Sequence, residues 1–229
     1  MKDVLGQAIS DYFYQTSTGK LWVNNKYGPR EEMPVGVYFR NAEEMPELEW
    51  IAVQHCKGKI LDIGAGAGSH TLLLQQMGQD CTALEISPLA AAVIKARGVE
   101  HIIQKDFFQW TGETYDTLLL MMNGIGLSGT LTGLRAFLGK ARKLLSPGGQ
   151  LIFDSSNIAY LYGGHPPEMP GYYGEILYQY EYKKQRSDWF NWLFIDGETL
   201  KTITAEEGWQ TEFLFTDESD QFLVKCRPL

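Results

Sequence analysis

An α/β domain built on a doubly wound, largely parallel sheet with helices on both faces is the fold that these 229 residues predict. Three observations carry that expectation. Strand-like and helix-like segments alternate five times between residues 59 and 154. The strand-like segments are short and almost wholly apolar, as in Leu118-Leu119-Leu120-Met121. That composition suits a sheet buried on both faces rather than one wetted on one side. A glycine cluster, Gly64-Ala65-Gly66-Ala67-Gly68, stands where the first of these strands hands over to its helix.

Taken in order, residues 2–14 read as an amphipathic helix with Val4, Leu5, Ile9, Tyr12 and Phe13 toward one side. Residues 15–42 are rich in Gly, Asn and Pro and read as loop. Residues 43–56 read as helix, with Met45, Leu48, Ile51 and Ala52 at helical spacing and Pro46 in the first turn. The strand at 59–63 stops at the glycine cluster, and 69–77 follow as a helix. Cys81 to Ile86 is the second strand. Ser87-Pro88 then offers an N-cap and a first-turn proline to an alanine-rich helix that reaches Arg97 and closes at Gly98. Residues 100–104 form a third strand and Tyr115–Met121 a fourth. The helix over 130–145 ends at Ser146-Pro147-Gly148-Gly149, and Gln150–Asp154 is the fifth strand. Residues 156–173 are a Gly/Pro/Tyr-rich loop, and 174–183 and 188–196 are strand-like, with Lys184-Gln185-Arg186-Ser187 as their hairpin turn. A helix over 197–207 and strands over 209–216 and 220–227, joined by an acidic turn, complete the chain.

Composition removes several function classes. Hydrophobic residues at 44% and charged residues at 21% are enough for a sizeable core. A formal net charge of -8 repels phosphate backbones, so nucleic acid is not an expected partner. The basic run Lys183-Lys184-Gln185-Arg186 reads as a solvated turn. The three cysteines, Cys56, Cys81 and Cys226, are scattered and lack metal-ligand spacing, so reduced thiols and no metal are expected, with Cys81 and Cys226 as packing residues. The first residues lack the apolar stretch of a signal peptide, and no run is long enough to span a bilayer. A cytoplasmic protein without a membrane role is the expectation, its oligomeric state not legible.

Glycines after a strand let backbone approach a ligand closely, and the helix that follows presents free amide donors. The neighbours decide which ligand. A phosphate-cradling loop needs a lysine after its last glycine, and this chain has Ser69-His70 there. A dinucleotide turn needs its third glycine at the place Ser69 occupies. Gly64-x-Gly66-x-Gly68, preceded by Asp62, resembles instead the motif of class I S-adenosylmethionine-dependent methyltransferases. The resemblance runs along residues 43–155 and, more loosely, to the C-terminal residue.

The resemblance implies a seven-strand sheet whose last strand is antiparallel and inserted beside the fifth. It also implies roles. Asp62 would help hold the amino end of the methionine moiety, and Gly64, Ala65, Gly66 and Gly68 would form the turn that packs on the cofactor. Glu85 would take both ribose hydroxyls, a task suited to a carboxylate because it accepts from both. Ile86 would lie against the adenine, Asp106 and Phe107 would meet its amino group and ring, and Asn123 and Gly124 would stand at the mouth. The organisation implied is a single methyltransferase domain: a helical region to residue 57, a cofactor-binding half at 58–155, an insertion at 156–196 serving as a lid, and a last helix and strands at 197–229.

The activity implied is methyl transfer from S-adenosylmethionine to a small-molecule acceptor. After the fourth strand the chain reads Asn123-Gly124-Ile125-Gly126 rather than the Pro-Pro-aromatic signature of base-amino methylation, and the paired-glutamate loop of protein arginine methylation is missing. A general base is needed only if the acceptor must lose a proton. Asn123, Asp154 and His165 are candidates by position alone, while His70 reads as a helix-surface residue. Tyr172, Tyr173, Tyr178, Tyr180, Tyr182, Trp189, Phe190 and Trp192 crowd the insertion; most read as core or interface residues, and the remainder, with Tyr12, Tyr14, Trp22 and Tyr27, could line an apolar or cationic pocket. The alternatives are an aminopropyl transferase on the same fold, an NAD-dependent oxidoreductase, and a non-catalytic protein that binds S-adenosylmethionine or S-adenosylhomocysteine.

Overall fold

The structure, a computed structural model, describes residues 2–16, 19–163 and 171–229. Helix α1 (Val4–Tyr14) leads into strands β1 (Leu21–Asn25) and β2 (Glu31–Met33) and a 3-10 turn at Val35–Phe39. Helix α2 (Glu47–His55) precedes the repeat of β3 (Ile60–Ile63), α3 (Ser69–Gln76), β4 (Cys81–Glu85), α4 (Pro88–Ala96), β5 (His101–Gln104), β6 (Tyr115–Leu120), α5 (Leu131–Leu144) and β7 (Leu145–Ser156). Strands β8 (Glu175–Tyr182), β9 (Gln185–Arg186) and β10 (Phe190–Leu193), helix α6 (Gly197–Glu206), and strands β11 (Trp209–Thr216) and β12 (Gln221–Pro228) follow.

Seven strands form the main sheet in the order β11-β12-β7-β6-β3-β4-β5. The pairs β4–β5 and β6–β7 are parallel, and β12 runs antiparallel to both β7 and β11. The expected seven-strand plan is therefore met, including the antiparallel last strand beside the fifth of the repeat. Leu118, Leu119, Leu120, Leu151, Ile152 and Phe153 are fully buried, as apolar runs on a sheet covered from both sides should be. None of the described helices is long and apolar enough to cross a membrane.

The second sheet corrects the loop expected at residues 15–42. Strand β1 pairs with β2 and, over Leu21↔Tyr182 to Asn25↔Tyr178, with β8. The Gly/Asn/Pro content marks the hairpin bend instead, where Asn25 Oδ1 accepts from the backbone N–H of Tyr27 and Gly28. A strand whose partner is so distant in sequence leaves little local trace. Two smaller differences are local. Pro46 is the N-cap of α2 rather than a first-turn residue. The β8–β9 turn is made by Lys183 and Lys184, both left-handed (φ 47° and 66°), while Gln185 and Arg186 pair back onto β8.

The chain divides into two compact units, each assembled from separated segments: Met1–Met45, Leu61–Trp110 and Leu177–Phe190 in one, Pro46–Ile60, Thr111–Ile176 and Asn191–Leu229 in the other. The first has a core that gathers Val4, Ala8 and Ile9 of α1, Leu21, Val35, Ala67 of the glycine turn, Ala90 and Val93 of α4, and Tyr182. Asp3 clips this unit together. It caps α1 by accepting from Gly6 N and also accepts from Ser87 Oγ at 2.7 Å, while Ser87 Oγ caps α4 by accepting from Ala90 N. In the second unit α5 buries Leu134, Phe137, Leu138 and Ala141 along one stripe. Arg142 stacks over Trp209 and donates to the carbonyls of Glu207 and Gly208, closing the end of α6.

Candidate functional site

In the first unit the residues singled out from the sequence collect around the turn between β3 and α3. Gly64, Gly66 and Gly68 all have positive φ (74°, 61° and 82°), a conformation that costs an L-side chain roughly 1 kcal/mol or more and glycine almost nothing. The turn is tied to the next strand, because Gly64 N and Ala65 N both donate to Leu84 O. A Cβ at Gly64 would meet nothing within 4 Å, so the backbone there is open to close approach.

Two buried carboxylates flank this turn. Asp62 is 2% exposed and accepts from Thr71 Oγ1 at 2.6 Å. Burial raises its pKa, with His70 and the Thr71 hydrogen bonds pulling the other way. His70 is thus a buried neighbour of the carboxylate and not the surface residue expected. Glu85, at the end of β4, turns back onto the glycine turn: Oε2 accepts from Gly66 N at 2.9 Å and Oε1 from Ser87 N at 2.8 Å. Burial pushes its pKa up to about 7 despite those two donors. Ile86 beside it is 64% exposed, an unusual setting for so apolar a side chain. Asp106 Oδ1 caps the next turn by accepting from Phe108 N, and Phe107 is buried edge-on to Phe108. Tyr38 lies against the turn as well, and no sequence signal marks it. A Cβ on Gly66 would meet its ring at 3.0 Å.

The second unit holds Asn123, Gly124 and Asp154. Met122 and Asn123 are consecutive left-handed residues (φ 62° and 55°). Strain of this kind costs on the order of 1–3 kcal/mol per residue and persists only where surroundings fix it. Here Asn123 N donates to both oxygens of Asp154, at 2.9 and 2.8 Å. Asn123 Nδ2 donates to Leu193 O, and Asn123 Oδ1 accepts from Ser155 Oγ. Asp154 is 1% exposed, and burial pushes its pKa up to about 6. Gly126 allows Trp192 to seat on the same turn, since a Cβ there would collide with the indole at 2.1 Å. His165 lies outside the described residues.

Several of the insertion and N-terminal aromatics serve structure. Tyr172 donates to Asp196 Oδ2 and Tyr173 to Asn157 Oδ1, and Trp22 carries the Arg30 guanidinium at 4.2 Å. An open cleft of about 440 Å³ lined by Asn157, Asp196, Lys201, Phe213 and Phe222 contains none of the cofactor residues expected from the sequence.

Comparison with known proteins adds an independent line. A family model described as a methyltransferase domain matches residues 60–149. A search of the curated proteins found no match. Among solved structures, the SAM-dependent methyltransferase from Bacteroides fragilis in complex with S-adenosyl-L-homocysteine is 36% identical. The match covers 100% of this chain and 96% of that one, with a TM-score of 0.91. The CcbJ methyltransferase from Streptomyces caelestis shares 12% identity over 81% of this chain and 94% of its own, at a TM-score of 0.62. The PH0226 protein from Pyrococcus horikoshii OT3 shares 17% over 80% and 88%, at 0.61. These last two speak to the fold alone.

Proposed function

The chain belongs to the S-adenosylmethionine-dependent methyltransferases, and from that premise we propose that it methylates a small-molecule acceptor by in-line transfer, with the cofactor held at the Gly64–Gly68 turn. The observation that supports this placement best is the bond from Gly66 N to Glu85 Oε2. It makes the strand-end carboxylate and the glycine turn one hydrogen-bonded unit. A carboxylate has further lone pairs beyond the two already used, and a ribose diol supplies matching donors. Ile86 and Phe107 offer apolar surface for the adenine and Asp106 an acceptor for its amino group. In this reading the cationic methionine end keeps Asp62 ionised against its burial.

Bound S-adenosylmethionine supplies a methyl on a positive sulfur, already activated for displacement. The protein then has to orient the partners and exclude water. The Met122–Asn123 turn with Gly124 is assigned to shaping the mouth. Asp154 holds that turn, since both its oxygens accept from Asn123 N. The role of base falls to neither by this geometry. The acidic net charge favours a small acceptor over a polyanion.

Parallel calorimetric titrations with S-adenosylmethionine, S-adenosylhomocysteine and NAD test the cofactor placement in the wild type and in Glu85→Ala. Saturable binding of the first two and none of NAD is expected, with clear weakening in the variant. A folded Glu85→Ala protein of undiminished affinity would sink the ribose assignment. Release of S-adenosylhomocysteine, assayed across amines, alcohols and carboxylic acids and across RNA and protein, tests the acceptor class. Turnover confined to a macromolecule would overturn the small-molecule reading.

A further inference from the structure

The part of the chain that lies on the glycine turn comes from outside the α/β repeat. Tyr38 belongs to the Val35–Phe39 segment, and its ring stands at the 3.0 Å limit for any Cβ on Gly66. That segment is fastened to the turn it covers. Ser69 Oγ donates to the Tyr38 carbonyl at 2.9 Å, and Arg97 donates to Ala67 O at 2.6 Å while its guanidinium lies over Phe39. Phe39 in turn stacks on Tyr12 of α1 at 4.8 Å.

Strand β8 reaches the same place from the far end of the sequence. A hydrogen bond joins its Tyr180 hydroxyl to that of Tyr38. The strand is registered on β1, and Lys183 next to it pairs with Asp11 of α1 at 2.5 Å. Tyr38 and Tyr180 both pack on the core that includes Ala67 of the turn, yet both remain half-buried. Burial raises the pKa of both phenols, and the negative charge of Glu85 adds to it. Two partly exposed aromatic rings, gathered with Glu85 around one backbone turn, form a wall for a ligand rather than a closed core. A phenol that accepts through its oxygen still has its own proton to donate.

We infer that Tyr38 and Tyr180 are cofactor-site residues: Tyr38 contacts the bound cofactor with its ring and hydroxyl, and Tyr180 orients that hydroxyl. The N-terminal segment and the inserted hairpin thereby act together as the cover of the cofactor end. This rests on the placement of the cofactor at the glycine turn. It goes further by giving the insertion a part in holding the cofactor.

The test is calorimetric binding of S-adenosylhomocysteine to the wild type, Tyr38→Phe, Tyr180→Phe and Glu85→Ala, with amide hydrogen exchange on the wild type. Losing one hydroxyl donor should weaken binding about 5- to 10-fold in Tyr38→Phe and less, about 2- to 4-fold, in Tyr180→Phe. The ligand should slow exchange at residues 37–40 and 178–182. Variants that melt like the wild type and bind as tightly, without exchange protection, would overturn the cover if Glu85→Ala still weakens binding. Unchanged affinity in Glu85→Ala as well would mean that the underlying placement is wrong, and the cover with it.

Discussion

The glycine turn after β3 and the Met122–Asn123 turn after β6 solve one problem in two ways. Both put left-handed backbone at the carboxyl end of a strand, and both are anchored by a buried carboxylate whose pKa is raised. At the first, glycines carry the left-handed residues, so little strain is stored and Glu85 accepts from the turn with a single oxygen. At the second, Met122 and Asn123 bear the strain, and Asp154 commits both oxygens to one N–H. The first turn is permissive and leaves its carboxylate room for a ligand. The second is over-determined, with its polar atoms spent inside the protein. That difference argues for binding at the one and shape-keeping at the other.

The largest test of the comparison is pH. Glu85 rises from 4.5 to about 7 and Asp154 from 3.8 to about 6. The folded state therefore binds these protons more tightly than the unfolded chain. Their stabilisation is full below pH 4 and is lost as pH climbs through 6 and 7, by about 3 kcal/mol for each group. Urea melts of the cofactor-free protein should show stability falling across that window. Glu85→Gln should remove the upper part of the slope and Asp154→Asn the lower part. A wild-type stability that rises from pH 5 to 7 would contradict both burial arguments.

Next is separation of roles. Glu85→Ala should raise the Kd for S-adenosylmethionine about 100-fold, whereas Asp154→Asn should leave it within about twofold and lower turnover instead. Equal losses of affinity in the two variants would erase the distinction. Third, Asp154→Ala strips the acceptor from a strained, buried turn and should cost about 2 kcal/mol in chemical denaturation. A cost below about 0.5 kcal/mol would show that other contacts hold the turn. The smallest effect is at Gly66. Gly66→Ala combines a positive φ with the contact to Tyr38 and should destabilise by about 1–2 kcal/mol, with weaker cofactor binding. An unchanged melt would mean that Tyr38 gives way freely.

How much was readable follows from range. The glycine turn, Glu85 at its strand end and the Ser87 cap are local patterns, and each stands where the sequence puts it. Strand β1 was hidden because its partner β8 lies far along the chain and its own five residues sit among turn formers. His70 was misjudged because helical periodicity does not reveal which neighbours cover a short helix. Met122 and Asn123 carry almost no signal, although Asn tolerates left-handed backbone better than most residues. Tyr38 had none at all, being one aromatic among many in a segment without periodicity.

The sequence by itself determined the repeat of buried strands and helices, the turn that only glycines can make cheaply, and the carboxylates at strand ends. Those are consequences of backbone sterics and hydrophobic period, which act over a few residues. The tertiary structure alone decided that the N-terminal segment and β8 meet over that turn, that Asp154 faces Asn123, and that Glu85 bonds Gly66. Such pairings join residues distant in sequence and are chosen by the burial of a shared core, which no window of local sequence contains.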